Sequence, residues 1–327
     1  MAKKDRVRPT KPAMIAEPHH EPGAGHAELI ARARRFEAIR MAVVHPVDTL
    51  SLSGAVEAQK NGLIIPVLVG PPHRIEQAAR DADIDISDFE ILAAEHSHAA
   101  ARKAVDLART GEVDGLMKGA IHTDEVMTPV IDHEFGLRTE RRISHVFVVD
   151  ISTYPRPLLL SDAAINVYPD LEDKRDIVQN AIDMARALDI AEPRVAILSA
   201  IETVNPKIVS TVDAAALCKM ADRGQISGGL LDGPLAFDNA ISMEAAAAKG
   251  IVSPVAGRAD ILIVPDLEAG NMLAKQLEYL TDAQLAGIVT GARVPIALTS
   301  RADDVQTRCA SAAAAVLLAH YRKTSRP

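Results

Sequence analysis

The sequence predicts an α/β protein built on mostly parallel sheet. Three observations predict it. Short apolar runs alternate with longer helix-like stretches along nearly the whole chain, the pattern of βαβ crossovers. The 327 residues are enough for two compact α/β units, or one large one, each with a buried core of its own. Hydrophobic residues make up 48% of the chain but aromatics only 3%, with no Trp. The core must therefore be Ala, Val, Ile and Leu, which suit helices packed on a buried parallel sheet.

Taken in order, strands are expected at residues 40–44, 63–69, 89–93 and 115–118. Helices separate them at 48–61, 74–80 and 96–109, with a further helix-like stretch at 124–131. The first of these helices opens on the polar cap Asp48 and closes near Gly62, and the third ends at Gly111. Two neighbouring strands follow at 145–151 and 157–160, with a turn at Tyr154 and Pro155 between them. Helices at 174–188, 210–223, 240–248 and 270–280 then alternate with strands at 195–199, 229–232 and 261–264. A strand at 294–298 and a long helix at 302–322 close the chain. The change of flavour near Asp150 marks the expected domain boundary. No repeat of solenoid period is present.

Residues 1–28 are expected to form a flexible arm, because the stretch is rich in Lys, Arg, Pro and His. It lacks the apolar region of a secretory signal. Its His19, His20 and His26 are open to two readings, a metal site or plain solvated side chains. No apolar run reaches the length of a membrane span. The formal net charge of -8 disfavours nucleic acid and membrane partners, so an anionic substrate would need local Arg or Lys residues or helix N-termini. The two cysteines, Cys218 and Cys309, form no CxxC, which fits a reducing, cytoplasmic setting. A dinucleotide fingerprint, a P-loop, an HExxH zinc motif and a GxSxG elbow are all missing.

Sites in open α/β sheets form where strand ends lead into helices. At the end of the last strand, Thr299 is followed by Ser300, expected to open the final helix. The helix dipole would favour an anion there, and Arg301 would add a bidentate fork. A capping box of Ser300 and Asp303 explains those two residues, but not a cation at the positive end of a helix. Asp304 reads either as a base or as a favourable first-turn charge. Lys118 at a strand end would neutralise phosphate, and His122 after it would serve as acid or base or be structural. Gly270 would let a ligand approach the backbone and Asn271 would cap or donate, or both belong to an ordinary β-to-α turn leading to Lys275. Asp232 precedes a Gly-Pro turn that accounts for it equally well. Asp162, Asn166, Glu202 and Asn205 follow other strands and would line the same cleft.

These motifs converge. Val113-Asp-Gly-Leu-Met-Lys-Gly119, Asp232-Gly-Pro-Leu235, Ser253-Pro-Val-Ala-Gly-Arg-Ala-Asp260, Pro265-Asp-Leu-Glu-Ala-Gly-Asn271 with Lys275, and Leu298-Thr-Ser-Arg-Ala-Asp303 resemble, in order, the phosphate acetyl/butyryltransferases. The resemblance runs from about residue 40 to the C-terminus. It implies two α/β domains, similar to isocitrate and isopropylmalate dehydrogenases, with a cleft between them. Residues 29–150 plus 293–327 would form the first domain and 151–292 the second. It further implies a homodimer that converts acyl-CoA and phosphate to acyl phosphate and coenzyme A, with no metal or redox cofactor. Ser300 and Arg301 map onto a pair that contacts the reacting group in the acetyltransferase branch. The Asp proposed there as base falls at Thr307, and another Arg of that branch aligns near Thr128. Asp303, Asp304 and His122 are then the candidate bases, with Lys118, Gly119, Asp232, Gly270, Asn271 and Lys275 as substrate contacts. Thr-Ser-Arg-Ala-Asp and the Lys118-Gly119 pair look closer to the butyryltransferase branch, so the acyl chain stays open between acetyl and butyryl. Two other readings stay open: a non-catalytic subunit that binds coenzyme A, and a metal-dependent 2-hydroxyacid dehydrogenase.

Overall fold

The computed structural model describes residues 17–300 and 303–324. Helix α1 (Ala24–Ala33) precedes β1 (Ile39–Val44), α2 (Thr49–Lys60), β2 (Ile64–Gly70), α3 (Pro72–Asp81), β3 (Glu90–Ala93), α4 (Ser97–Thr110), β4 (Gly115–Lys118) and α5 (Thr123–Val130). Next come β5 (Ser144–Asp150), β6 (Leu158–Ser161), α6 (Leu171–Ala187), β7 (Arg194–Leu198), α7 (Val209–Asp222), β8 (Leu230–Leu235), α8 (Phe237–Ile241) and α9 (Met243–Ala248). The chain closes with β9 (Ile261–Ile263), α10 (Leu267–Leu280), β10 (Gln284–Thr290), β11 (Ile296–Ala297) and α11 (Val305–Thr324).

All these strands join in one 11-stranded sheet, ordered β3-β2-β1-β4-β11-β10-β5-β6-β9-β7-β8. The sequence predicts mostly parallel sheets divided between two domains; the structure has a single continuous sheet. β1, β2, β3, β4 and β11 run parallel to one another, as do β6, β9, β7 and β8. Antiparallel pairing of β11 with β10, β10 with β5, and β5 with β6 reverses the direction between the two sets. The strand responsible, β10, is the one that the sequence reading lacks. Its run Gln-Leu-Ala-Gly-Ile-Val-Thr is interrupted by Gly287, a residue that weakens strand patterns. Here only Gly fits: a Cβ would lie 2.9 Å from His145 Nε2 and closer still to Leu298 O.

Side chains alternate faithfully across the sheet. Ile39, Met41 and Val43 of β1 enter one core, and Ala42 and Val44 enter another. The first core is continuous across both strand sets, under α1, α2, α6 and α11. The opposite face carries two separate cores, one beneath α4 and α5 and one beneath α8, α9 and α10. Alanine-rich α11 lies buried along most of its length, which small side chains permit. Among the described residues, no helix is long and apolar enough to cross a membrane.

The flexible-arm expectation fails from residue 24 onward. Gly25 N donates to Asp150 Oδ2 at 2.9 Å, and α1 buries His26, Leu29 and Ala33 on one face. The spacing was present in the sequence, but counting His26 as polar hid it. The expected helix at 240–248 is also two helices, split where Ser242 caps α9 by accepting from Ala245 N at 3.2 Å.

His145 lies between the two cores of that second face, 1% exposed, with its ring 4.3 Å from that of Phe147. Burial pushes its imidazole down from 6.5 to about 3. The unfolded chain takes up this proton near pH 6.5, whereas the folded chain refuses it until about pH 3. Its contribution to stability is therefore complete above pH 6.5 and lost as pH falls, by about 1.4 kcal/mol per pH unit. Urea unfolding between pH 7 and pH 4 is expected to show a steeper acid loss in the wild type than in His145→Leu. Parallel slopes would exclude this account.

Candidate active site

The chain leaves β1 for β2 and β3 on one side, then crosses to β4 on the other. The connections from β1 and β4 thus diverge, and such a switch opens a crevice at the strands' carboxyl ends. His45, at φ 58°, turns the chain there and is 5% exposed. Gly119 N donates to Val44 O at 2.9 Å, Ala120 N donates to His45 O at 3.0 Å, and His45 Nδ1 donates to Ala120 O at 3.0 Å. Burial lowers the His45 pKa, so the ring is held neutral. Gly119 is required by this close approach, because a Cβ would lie 2.8 Å from His45 O.

Beside it, β11 brings Thr299 and Ser300 to the same end of the sheet. Lys118, 3% exposed, donates from Nζ to Thr299 O at 3.0 Å. Arg308, 2% exposed, reaches back from the first turn of α11. Its Nη1 donates to Thr299 Oγ1 at 2.8 Å, its Nη2 to Ser300 O at 2.8 Å and its Nε to Asp303 O at 3.1 Å. The sequence reading missed Arg308 and His45, and gave Thr299 no role beyond ending its strand. Arg308 did leave a signal: it is a cation in a helix's first turn, in register with an apolar face, where neither the dipole nor burial favours it.

Ser300 does not open the final helix. α11 begins at Val305, and Asp304 caps it by accepting from Thr307 N at 2.8 Å. Asp303 instead accepts from Ser300 N at 2.7 Å, which ties these two residues together ahead of the helix. Burial raises the Asp303 carboxyl above the ordinary aspartate value, opposed by that N–H. Lys275 of α10 and Glu278 act on Asp303 through space. Partial burial works against the Lys275 charge, but the Glu278 carboxylate at 2.6 Å raises its pKa. Arg301 lies outside the described residues.

His122 follows this cluster, exposed at the start of α5, and its backbone N donates to Glu125 Oε2 at 2.9 Å. Thr128 bonds within its own helix, to Asp124 O at 2.7 Å. Ser300, Asp303, Lys118, Gly119 and Lys275 are thus grouped, with Asp304 and His122 at the margin. Asp232, Gly270 and Asn271 are not in that group. They belong to the strand set that runs the other way, so its carboxyl ends leave the sheet at the opposite end. Gly270 packs α10 against the loop after β6, where a Cβ would meet Val264 Cγ2 at 2.7 Å. Asn271 Nδ2 donates to Ala163 O at 3.2 Å in the same contact. Asp232 lies on the edge strand β8 and accepts from Gly233 N at 2.8 Å, a turn contact. Asp162 and Asn166 bond each other at 2.6 Å, Glu202 pairs with Lys249 at 3.0 Å, and Asn205 accepts from Lys207 N at 3.0 Å.

A cavity of about 240 Å³ lies elsewhere, between α1 and the end of β5. His20 pairs there with Asp150 at 2.7 Å, and His26 is buried in the same lining. Among the described residues, no group of three or more His, Cys, Asp or Glu is disposed to hold a metal ion.

Known proteins resemble this chain along most of its length. The family model described as Phosphate acetyl/butaryl transferase matches residues 93–316. The phosphate acetyltransferase of Rhizobium meliloti is 60% identical over 297 residues, covering 91% of this chain and 94% of the relative. The phosphate butyryltransferase of Clostridium acetobutylicum is 44% identical over 292 residues, covering 89% and 97%. Among solved structures, a branched-chain phosphotransacylase from Enterococcus faecalis matches with a TM-score of 0.75 at 29% identity, covering 86% of this chain and 99% of that one. Fold and likeness together define an α/β enzyme of the acyltransferase class. The chain belongs to the phosphate acetyl/butyryl transferase family.

Proposed function

We propose that this enzyme transfers a short acyl group, acetyl or butyryl, between coenzyme A and inorganic phosphate in the crevice beyond β1, β4 and β11. One observation carries the reading: Lys118 and Arg308, both buried, meet at Thr299, next to Ser300. In an acidic protein, two buried cations at a strand-end crevice make a local positive field suited to an anion.

In this reading the phosphoryl group rests beside Ser300. Arg301 is its bidentate partner, and Ser300 donates to the oxyanion that develops on the acyl carbonyl. The coenzyme A thiol gives its proton to a base. Its sulfur then bonds to the carbonyl carbon of the acyl phosphate, and the carbon–oxygen bond to phosphate breaks, with phosphate keeping the electron pair. Asp303 suits the base role better than Asp304. Burial makes its carboxylate more basic, whereas Asp304 is exposed and committed to capping α11. Exposed His122 is the alternative base.

The chemistry as read needs no metal or redox cofactor, and coenzyme A is a substrate. We read the architecture as two lobes of the isocitrate/isopropylmalate dehydrogenase kind, 29–150 plus 293–327 and 151–292, in a cytoplasmic homodimer. The lobe division is supported by the reversal of the sheet and by β11 pairing back onto β4.

The test is thiol release from acetyl-, propionyl- and butyryl-CoA, with and without phosphate. Release that requires phosphate, with formation of acyl phosphate, is expected for at least one of them. Release of equal rate without phosphate, or none at all, would overturn the proposal.

A further inference from the structure

We infer that Arg308 is a positioning residue for the phosphate-side substrate, holding Thr299, Ser300 and Asp303 in place and lending them a buried positive charge. The inference rests on the proposed function and assigns a role to a residue that the reading of motifs passed over.

Arg308 is 2% exposed, and its three hydrogen bonds go to one hydroxyl and two main-chain carbonyls. No carboxylate accepts from it among the described residues; Asp303, Asp48 and Asp304 act on it only through space. A buried guanidinium without an ion pair is expensive, and its charge cannot be shed. A Met of similar length would fill the same space without that cost.

What the charge accomplishes is visible in its acceptors. Nη2 and Nε grip the carbonyls of Ser300 and Asp303, two residues already tied by the bond from Ser300 N to Asp303 Oδ2. With its carbonyl drawn inward, Ser300 is left exposed at the crevice. Nη1 meanwhile holds Thr299, whose carbonyl is held from the other side by Lys118. The sequence of α2 makes room for this arm: a Cβ on Gly54 would lie 2.8 Å from both Cβ and Cδ of Arg308. A planar fork with fixed N–H directions serves three acceptors at once, which an ammonium at one point cannot do.

The experiment measures KM for phosphate, KM for acyl-CoA and kcat in Arg308→Met, Arg308→Lys and Thr299→Val, with circular dichroism and thermal unfolding as controls. In folded Arg308→Met, KM for phosphate is expected to rise at least about 10-fold and kcat to fall, because the same fork holds Ser300 and Asp303, with KM for acyl-CoA within about twofold. Arg308→Lys should recover part of that loss, because it keeps the charge but not the fork. Thr299→Val removes the acceptor of Nη1 together with the long 3.5 Å donation to Lys118 O, and should raise the phosphate KM by a few fold. This milder variant keeps the test open if Arg308→Met does not fold. Unchanged phosphate KM in the folded variants would overturn the role of Arg308, as would a proportional rise in both KM values. Absence of phosphate-dependent release in the wild type would instead sink the proposed function itself.

Discussion

Gly119→Ala is expected to cost about 3 kcal/mol of stability and roughly 100-fold in turnover of the protein that folds. The added Cβ would lie 2.8 Å from His45 O and 2.9 Å from His45 C, with Val44 O nearer still. All three atoms are backbone, so no side chain can rotate away to relieve the clash. β4 and β1 must part at the register pair Val44 and Lys118. That movement stretches the Gly119–Val44 and Ala120–His45 hydrogen bonds and withdraws Lys118 from Thr299. A displacement of about 1 Å at a catalytic group is enough for a loss of that size. Urea unfolding and phosphate-dependent thiol release measure the two effects. A variant as stable and as active as the wild type would mean that the β1–β4 junction is not rigid.

Asp162→Ala is expected to cost about 3 kcal/mol or more without touching the proposed crevice. Asp162 is 3% exposed. Its Oδ1 accepts from Ala164 N at 2.9 Å and Ile165 N at 3.0 Å, and its Oδ2 accepts from Asn166 N at 3.3 Å and Asn166 Nδ2 at 2.6 Å. Burial lifts the carboxyl above its ordinary value even so. Truncation strands four N–H groups in a place where water has little access. The loop they belong to carries Ile165 onto the core beneath α4 and α5, and supports Gly270 and Asn271 of α10. Asp162→Asn should lose less, since one oxygen still accepts. A urea midpoint within the scatter of ordinary surface substitutions, about 0.5 kcal/mol, would show the loop to be held by other contacts.

Most of the element sequence was legible because burial repeats at fixed periods. β1 alternates between two cores, and α4 ends at a left-handed Gly111. α1 and β10 were hidden by composition. One presents a histidine on its buried face, and the other carries a glycine in its centre. The site was half legible. Lys118, Gly119, Ser300 and Asp303 stand out by residue type at strand ends, and their grouping follows from neighbouring strands. Asp232, Gly270 and Asn271 stand out by the same rule, yet the sheet directs them elsewhere.

By itself the sequence determined the alternation of strands and helices, an aliphatic core, the family motifs and the anionic character of the chain. Those properties depend on residue type and local spacing, which a linear pattern carries. Only the tertiary structure decided the direction of each strand set and which strand ends face one another. Only it brought Arg308 onto Thr299, Ser300 and Asp303 at once. Pairing direction and buried polar contacts arise between residues far apart in the chain, so no local period records them.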